Sequence, residues 1–441
     1  MRFAIATLGC KVNQYDSATI EARLLRRGME RREFDEPADV YIVNTCTVTN
    51  RADSESLRLA RRAKRLNPAA RVVMTGCLAQ ASPARLAQAV EVDAIVGLDR
   101  AEDLERAIAL GEGERVMVSN LRKERAEIDL KAVTLAGHTR AFLKLQEGCD
   151  QFCSFCIVPF SRGTSRSIEP RRVIEALDEV HRRGFKEATL SGVHLGGYGK
   201  DLSPAVELAD LLEMIAERSE VERIRISSLD PEELSDRIID IVASNTRFCP
   251  HLHLPLQSGD DTTLSRMRRR YVRDYFRDRV ERVLEAMPSA AIGTDLIVGF
   301  PGESAAQFES YYEFVAALPL AYFHVFPYSV RAGTTAAKMT GKVRPLEINR
   351  RAKRMRRLGD LKRAEFARRA VGSRVRVLIE ERARDGSLRG YSRNYIRVAT
   401  EGPDELISRE VEVEVLSADA AQVAGQVVWP TARNAAGAIS S

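Results

Sequence analysis

Residues 146–157 read QEGCDQFCSFCI and place Cys149, Cys153 and Cys156, the loop cysteine set, at C-x3-C-x2-C spacing. Protein-bound 4Fe-4S clusters normally take four cysteines and a structural zinc ion takes four ligands, so this set is one ligand short. The spacing therefore predicts a cluster that keeps one iron open for a substrate or cofactor. A zinc knuckle or a chance arrangement is the alternative, but the nearest histidines lie outside the usual zinc spacing.

The chain has 441 residues, which is too long for one ordinary compact core and indicates two or three domains. No segment approaches the roughly 20 apolar residues that a membrane span needs, and the N-terminus lacks the long apolar region of a signal peptide. We therefore expect a cytoplasmic protein with no membrane partner. Its seven cysteines should be metal ligands or reduced thiols rather than disulfides.

Three further cysteines, Cys10, Cys46 and Cys77, each follow a short apolar run in residues 1–125, and we call them the N-terminal cysteine set. The segments between the runs have helical periodicity. Alternating strands and helices predict a parallel-sheet α/β domain, in which the carboxyl ends of the strands meet at one edge. The three thiols should therefore converge on a second cluster site. Three buried cysteines that follow strands by chance are the alternative.

The central region, residues 138–365, contains further strand candidates with helical patterns between most of them. This periodicity predicts a partial (β/α)6 barrel, whose chemistry lies at the carboxyl ends of the strands. The loop cysteine set follows the first candidate, and the glycine-rich residues 191–199 follow the second. Those glycines would permit close approach to a cofactor, or they are ordinary turn residues. The six candidates are residues 142–146, 188–193, 223–229, 251–256, 292–299 and 323–328.

The last region, residues 370–433, alternates apolar and polar residues as in an all-β module, which predicts a small β-barrel. The expected strands are residues 375–379, 388–398 and 411–415. Residues 389–397 interleave tyrosine with arginine, a composition suited to stacking on RNA bases and pairing with phosphates. Strand propensity alone also favours tyrosine at these positions.

Basic residues are concentrated in two runs, although the formal net charge is only +6. Residues 350–369 contain ten Arg or Lys and two acidic residues, and residues 266–273 are also rich in arginine. A helix with the first composition would offer a positive face to a polyanion such as RNA. A solvated surface helix is the alternative explanation of that run.

These motifs together resemble those of the radical S-adenosylmethionine (SAM) methylthiotransferases along nearly the whole chain, and the C-terminal module resembles a TRAM domain. The CKVNQ form of residues 10–14 resembles the branch that acts on threonylcarbamoyladenosine in tRNA (MtaB). The branch that acts on isopentenyladenosine typically has CQMN here, and the ribosomal-protein branch has CPKN. The matching motifs are LGCKVNQY at 8–15, NTC at 44–46, TGC at 75–77, GCDQFCSFCIVP at 148–159, HLPLQSG at 253–259 and TDLIVGFPGE at 294–303.

The resemblance implies conversion of N6-threonylcarbamoyladenosine, at position 37 next to the tRNA anticodon, into its 2-methylthio derivative. It implies that the loop cysteine set holds a 4Fe-4S cluster whose open iron chelates SAM, which is cleaved to a 5′-deoxyadenosyl radical. The N-terminal set would hold a second 4Fe-4S cluster that carries the sulfur. The partners implied are tRNA, an external electron donor and a sulfur source.

Supporting residues are carried over only where the motifs match. Gly192, Gln257 and Ser258 are the expected SAM contacts. Asn13 and Gln14 would line the N-terminal cluster or the substrate pocket, although Asn13 could instead cap a helix. Three other functions stay open: methylthiolation of isopentenyladenosine in tRNA, methylthiolation of a ribosomal protein, and a non-catalytic Fe-S protein that binds RNA.

Overall fold

The computed structural model describes residues 1–98, 101–109, 115–123, 128, 139–419 and 422–429. They form an α/β sheet unit, a partial barrel and a small closed barrel in chain order. The expected domain limits at residues 125 and 138, and the end at residue 433, lie outside the described residues. The boundaries of the three expected domains therefore remain a proposal.

The N-terminal unit is a parallel sheet with the strand order β2-β1-β3-β4-β5-β6. Its central strand β3 is buried at every position, as expected of a parallel strand that helices cover on both faces. The elements are β1 (Arg2–Thr7), α1 (Lys11–Arg26), β2 (Glu30–Arg31), β3 (Val40–Thr45), α2 (Asn50–Leu66), β4 (Arg71–Gly76), α3 (Cys77–Ala81), α4 (Pro83–Ala87), β5 (Ala94–Val96), α5 (Ala101–Ala109) and β6 (Val116–Met117).

The central unit contains six parallel strands that match all six predicted candidates, so the predicted partial barrel is confirmed. Its two sheets meet where Ile224 forms a parallel bridge with Phe248. The elements are β7 (Arg140–Glu147), α6 (Val158–Arg162), β8 (Arg166–Ser167), α7 (Pro170–Arg182), β9 (Glu187–Gly192), α8 (Leu208–Arg218), β10 (Arg223–Ile226), α9 (Asp236–Ser244), β11 (His251–His253), α10 (Asp261–Arg266), α11 (Arg273–Ala286), β12 (Ala291–Val298), α12 (Ala305–Ala317), β13 (Tyr322–Pro327) and α13 (Pro345–Arg368).

Alternate residues of each barrel strand point to opposite sides of the sheet. In β9, Ala188 and Leu190 belong to the main hydrophobic core, so Glu187, Thr189 and Ser191 face the inside of the barrel, which we call the lumen. The lumen is therefore polar. Its charged, histidine and tyrosine side chains are Arg140, Lys144, Glu187, Arg223, Arg225, His251, His253, Asp295, Tyr322 and His324.

The C-terminal unit is a closed five-stranded barrel with the order β14-β15-β16-β18-β17, which confirms the predicted β-barrel. The single strand expected over residues 388–398 is wrong, because a turn with Tyr395 at φ +66° divides it in two. The last strand was not predicted. The elements are β14 (Arg374–Arg382), β15 (Leu388–Ser392), β16 (Arg397–Thr400), β17 (Glu410–Ala418) and β18 (Val423–Val427).

The long helix α13 connects the two barrels and confirms the helix expected at the basic run. Pro345 is at its first position, where the missing N–H costs no helical hydrogen bond. Ala352, Met355 and Leu358 pack into the main core. Among the described residues, the helices are all too short or too polar to cross a membrane.

Candidate active site

The N-terminal cysteine set lies at the carboxyl ends of three neighbouring parallel strands. Cys10 is the N-cap of α1 after β1, Cys46 directly follows β3, and Cys77 follows β4 and begins α3. Gly9 has φ +99°, and a Cβ there would lie 3.0 Å from the Cys46 sulfur. Burial, together with the nearby Cys10 and Cys46 thiols, raises the pKa of Cys77 to about 11. The structure thus brings the three thiols together, and their role as iron ligands stays a prediction.

Asn13 and Arg162 flank Cys77. Asn13 Nδ2 donates to the backbone oxygens of Leu8 at 2.7 Å and Thr45 at 2.9 Å, while its Oδ1 accepts from Arg162 Nη2. Arg162 Nε donates to Cys77 Sγ at 3.3 Å. Asn13 is therefore not a helix cap, since the N-cap of α1 lies three residues earlier. It holds the first turn of α1 against the cysteine-bearing loops.

A buried charge network joins the N-terminal sheet to the barrel beside this site. Arg162 Nη1 lies 2.9 and 3.0 Å from the two carboxylate oxygens of Glu147, and its Nη2 lies 2.9 Å from Asp16 Oδ2. Lys144 Nζ contacts Glu147 at 2.7 Å and Asp16 at 2.8 Å. Although burial acts to raise it, the charges of Arg162 and Lys144 hold the pKa of Glu147 far below its usual range. Each buried charge therefore has an opposite partner, as burial of ions requires.

The loop cysteine set follows β7 and precedes α6. Gly148 begins the loop with φ +75°, and a Cβ there would lie 1.9 Å from a backbone carbonyl oxygen, so only glycine fits. Burial, reinforced by the neighbouring thiols, raises the pKa of Cys149 and Cys156 to about 12. Arg269 Nη1 donates to Cys153 Sγ at 3.5 Å and acts to lower the pKa of that thiol, although burial still raises it.

Both cysteine sets suit iron-sulfur clusters better than single zinc ions. A tetrahedral site with Zn–S bonds of about 2.3 Å holds its sulfurs about 4 Å apart. Among the described residues, His194, Asp230 and Glu233 offer three possible ligand atoms that all lie within 4.8 Å of one another. In the same part of the chain, the three sulfurs of neither cysteine set lie that close together. Wider spacing suits a cluster, because each cysteine then binds a different iron. Binding would also deprotonate these buried thiols, despite their raised pKa values.

The expected SAM contacts Gly192, Gln257 and Ser258 all lie at or just beyond the carboxyl ends of barrel strands, on the side of the loop cysteine set. A Cβ at Gly192 would lie 3.1 Å from the Gln146 side chain, so the backbone is closely packed here. Gln257 has φ +66° and donates its N–H to a β12 carbonyl at 2.8 Å. Ser258 is buried, and its Oγ accepts a turn N–H at 3.3 Å. Contact with SAM stays a prediction for all three, and Gln14 is exposed.

Comparison with known proteins identifies the family. Three family models match in chain order: Uncharacterized protein family UPF0004 at residues 2–97, the Radical SAM superfamily at 143–315 and the TRAM domain at 368–428. The threonylcarbamoyladenosine tRNA methylthiotransferase MtaB of Bacillus subtilis is 39% identical over 96% of this chain and 96% of its own length. The chain belongs to the radical SAM methylthiotransferases. MtaB of Aquifex aeolicus is 36% identical over 92% of this chain and 98% of its own.

A second kind of radical SAM methylthiotransferase is less similar. The tRNA-2-methylthio-N(6)-dimethylallyladenosine synthase of Desulfitobacterium hafniense is 31% identical over 95% of each chain. The solved structure of the radical SAM methyltransferase TsrM from Kitasatospora setae has a TM-score of 0.58 at 14% identity and covers 76% of each chain. That likeness shows a shared fold. The order of identities confirms the resemblance to the MtaB branch.

In this methylthiotransferase, Arg269 is a site residue that sequence reasoning missed. Its Nη2 lies 2.5 Å from Asp230 Oδ1, and it also contacts the Cys153 sulfur. The arginine-rich run at residues 266–273 therefore does not present Arg269 to nucleic acid, because the largely buried carboxylate of Asp230 holds its side chain inside. Arg162 was missed as well. One signal could have indicated Arg162 as a site residue, namely its position on the short helix that follows the loop cysteine set.

The C-terminal barrel of the methylthiotransferase turns two tyrosines towards the central barrel. The Tyr391 and Tyr395 rings stack 4.8 Å apart, and the Tyr395 ring lies 4.6 Å from that of His251, the first residue of β11. The Arg225 guanidinium lies 4.9 Å from the Tyr395 ring. The two rings therefore pack at the amino-terminal end of the barrel strands, and their stacking on RNA bases stays a prediction.

Helix α13 divides its basic residues between packing and solvent. Arg351 is buried and contacts Glu303 at 2.5 Å and Glu347 at 2.9 Å. Lys353 and Arg357 are exposed one turn apart and have no hydrogen bond or ion pair within the described part of the chain. The helix is therefore anchored on one side and offers free positive charge on the other.

Proposed function

We propose that this protein is a tRNA methylthiotransferase that converts N6-threonylcarbamoyladenosine, next to the anticodon, into its 2-methylthio derivative by radical SAM chemistry. The observation that carries the proposal is the joining of two three-cysteine sites. Each lies at the carboxyl edge of a parallel sheet, and Arg162, which follows the loop set, contacts Cys77 of the N-terminal set at 3.3 Å. Similarity to MtaB over 96% of the chain supports the choice of substrate.

Each cysteine set would hold one 4Fe-4S cluster, and SAM would bind beside the loop set. These groups supply radical activation of an aromatic C–H bond and transfer of a methylthio sulfur, which side-chain acids and bases cannot supply. The protein's own contribution is position and charge. Arg162 favours the thiolate form of Cys77, and Arg269 favours that of Cys153. The network around Glu147 fixes the two sites relative to one another.

The tRNA would be held by the C-terminal barrel and by the free cations of α13. Lys353 and Arg357 point to solvent and can contact phosphates without breaking an internal ion pair. Because the substrate is tRNA, the enzyme would act in the cytoplasm. An external electron donor and a sulfur source would complete the reaction.

Mass spectrometry of tRNA nucleosides tests the proposal. Cells that lack the protein should accumulate N6-threonylcarbamoyladenosine and lose its 2-methylthio derivative. The wild-type gene should restore the product, whereas Cys149→Ala and Cys10→Ala should not. Cys249→Ala is the matched control, because Cys249 is buried outside both sets and should leave the product unchanged.

Other outcomes point to other functions. A change only in the isopentenyladenosine derivative would indicate that the enzyme acts on dimethylallyladenosine instead. This is the second candidate function, because relatives named for that reaction are 31–32% identical to this chain. An unchanged nucleoside profile would contradict methylthiolation of tRNA. Methylthiolation of a ribosomal protein, or a non-catalytic role, would then have to be tested.

A further inference from the structure

The cations of the barrel lumen are almost all neutralised by carboxylates. Arg223 and Arg225 share Glu187, each at 2.9 Å, and both are almost completely buried. Arg140 lies 2.6 Å from Glu380. Burial acts to raise it, but the charges of these arginines lower the pKa of Glu187 to about 2, so its carboxylate stays ionised at neutral pH.

Lys11 is the exception. It begins α1, which packs against β7 and β9, and its charge acts on His251 and His324 across the lumen. Within the described residues, its ammonium group has no hydrogen bond and no ion pair.

Nearby lumen atoms also lack partners. Thr189 Oγ1 and Ser191 Oγ of β9, and Nδ1 of His251, are buried without a hydrogen-bond partner in the described part of the chain. These three residues are 0%, 3% and 4% exposed. A buried polar atom without a partner is unfavourable, and a polar ligand that bonds to it relieves that cost. Three of them beside an unpaired cation indicate a wall suited to a polar, anionic ligand.

The lumen can also admit such a ligand. His324 of the last barrel strand is exposed, and Asp295 of the neighbouring strand is only partly buried, so the lumen is open along β13. Lys11 directly follows Cys10, so the residue that offers a cation to the lumen is the chain neighbour of a member of the N-terminal cysteine set. This link between the lumen and the cysteine set suits recognition of the modified base itself.

We propose that Lys11 binds the carboxylate of the threonyl group of the substrate and selects it over adenosines with an apolar N6 group. This inference rests on the proposed function. The threonylcarbamoyl group carries a carboxylate, a hydroxyl and carbamoyl N–H and C=O groups, which match an ammonium and the free hydroxyls of Thr189 and Ser191. A dimethylallyl group has none of them and would leave the lumen cation unpaired.

The test measures binding by fluorescence anisotropy with the full-length protein under anaerobic conditions. One RNA is an anticodon stem-loop that carries N6-threonylcarbamoyladenosine, and the other is the same stem-loop with the carboxylate replaced by a carboxamide. Loss of one partner of a buried charge pair predicts a preference of about 30-fold or more for the acid form in the wild type. This first comparison needs no variant, so it does not depend on how a mutant folds.

Variants then assign the preference to one residue. Lys11→Gln should weaken binding of the acid stem-loop by about 30-fold or more and leave the carboxamide nearly unchanged. Lys11→Arg should keep most of the preference, because it keeps the charge. Lys186→Gln is the matched control, since Lys186 is a partly exposed lysine of the central domain, lies outside the lumen and pairs with Glu222. It should bind both RNAs as the wild type does.

The outcomes separate this inference from the proposed function. If reconstituted wild type does not methylthiolate the acid stem-loop, the proposed function fails. If the wild type methylthiolates it but binds acid and carboxamide equally, carboxylate recognition is overturned and the function stands. If Lys11→Gln weakens both RNAs equally, Lys11 acts on the RNA backbone or on the fold, and the inference is likewise overturned.

Discussion

Replacing Arg162 with Gln perturbs the contact between the N-terminal sheet and the barrel. The Arg162 side chain is 2% exposed and contacts both Glu147 and Asp16 at 2.9 Å. Removal of one partner from a buried ion pair costs about 3–5 kcal/mol. Because Lys144 stays 2.7 Å from Glu147, we expect the lower end. The free energy of unfolding should therefore fall by about 3 kcal/mol in urea titrations at neutral pH.

The same change should weaken one cluster selectively. Burial raises the pKa of Cys77 to about 11, and the Arg162 cation opposes that rise. Without the cation the thiolate forms less readily, and loss of such a ligand-supporting group typically lowers metal affinity by about 10- to 100-fold. After anaerobic reconstitution with limiting iron, Arg162→Gln should bind about half of the wild-type iron, because the loop cysteine set is still intact.

Arg331→Gln is the matched control for this experiment. Arg331 is also a buried arginine and lies 2.8 Å from Asp53 across the same pair of domains, but its described contacts include no cysteine. The Arg331→Gln variant should have a lower free energy of unfolding and the same iron content as the wild type. Full iron in Arg162→Gln would refute the role assigned to Arg162. An equal loss of iron in Arg331→Gln would also refute it, because general loosening of the interface would then explain both results.

Three further predictions concern other parts of the molecule. Glu187→Gln should lower the free energy of unfolding by about 3 kcal/mol at pH 7. It should also flatten the pH dependence, because a pKa lowered from 4.5 to about 2 gives stability that is complete above pH 4.5 and is lost as the pH falls towards 2. Lys353→Ala combined with Arg357→Ala should reduce the salt dependence of tRNA binding, with the slope of log K against log salt falling by about 1.5. Gly148→Ala should abolish iron binding at the loop cysteine set, because the added Cβ would lie 1.9 Å from a backbone oxygen.

Each of these three changes has a control of the same chemistry. Glu213→Gln removes an exposed carboxylate paired with Arg237 and should leave stability nearly unchanged in both pH ranges. Lys186→Ala removes a lysine from outside α13 and should leave the salt slope of tRNA binding unchanged. Gly184→Ala also substitutes a glycine with positive φ, +81°, but its Cβ would meet no atom within 4 Å, so iron binding should persist. A control that behaves like its test variant would contradict the corresponding prediction.

Much of the fold could be predicted because its signals are local. The strands of the central barrel are short apolar runs between helical patterns, so periodicity alone placed all six. The convergence of Cys10, Cys46 and Cys77 followed from one topological rule, since each cysteine comes at or near the end of a strand in a parallel sheet. The C-x3-C-x2-C spacing of the loop cysteine set is also a local signal, and it predicted a cluster that keeps one iron open.

The rest depends on contacts between distant residues. Arg162 and Cys77 are 85 residues apart, and Arg225 meets Tyr395 across two domains, so no local pattern announces either contact. The division of residues 388–398 into two strands depends on one residue with positive φ, Tyr395, which a β-propensity argument assigns to a strand. The role of some arginines was also predicted wrongly, because their partners are distant in the sequence. The number of arginines in residues 266–273 and 350–369 indicated RNA, yet Arg269 and Arg351 are held by internal carboxylates.

The position of Lys11 explains how one short motif could determine both chemistry and substrate. In CKVNQ, the cysteine is the N-cap of α1 and the lysine is its first residue, so a proposed iron ligand and a lumen cation are consecutive in the chain. Asn13, two residues further on, fixes the first turn of α1 through the Leu8 and Thr45 carbonyls and through Arg162. Replacement of the lysine alone would change the charge offered to the N6 group while leaving the thiol in place. We therefore expect the residue at this position to differ between family members with different substrates, while the cysteine before it is kept.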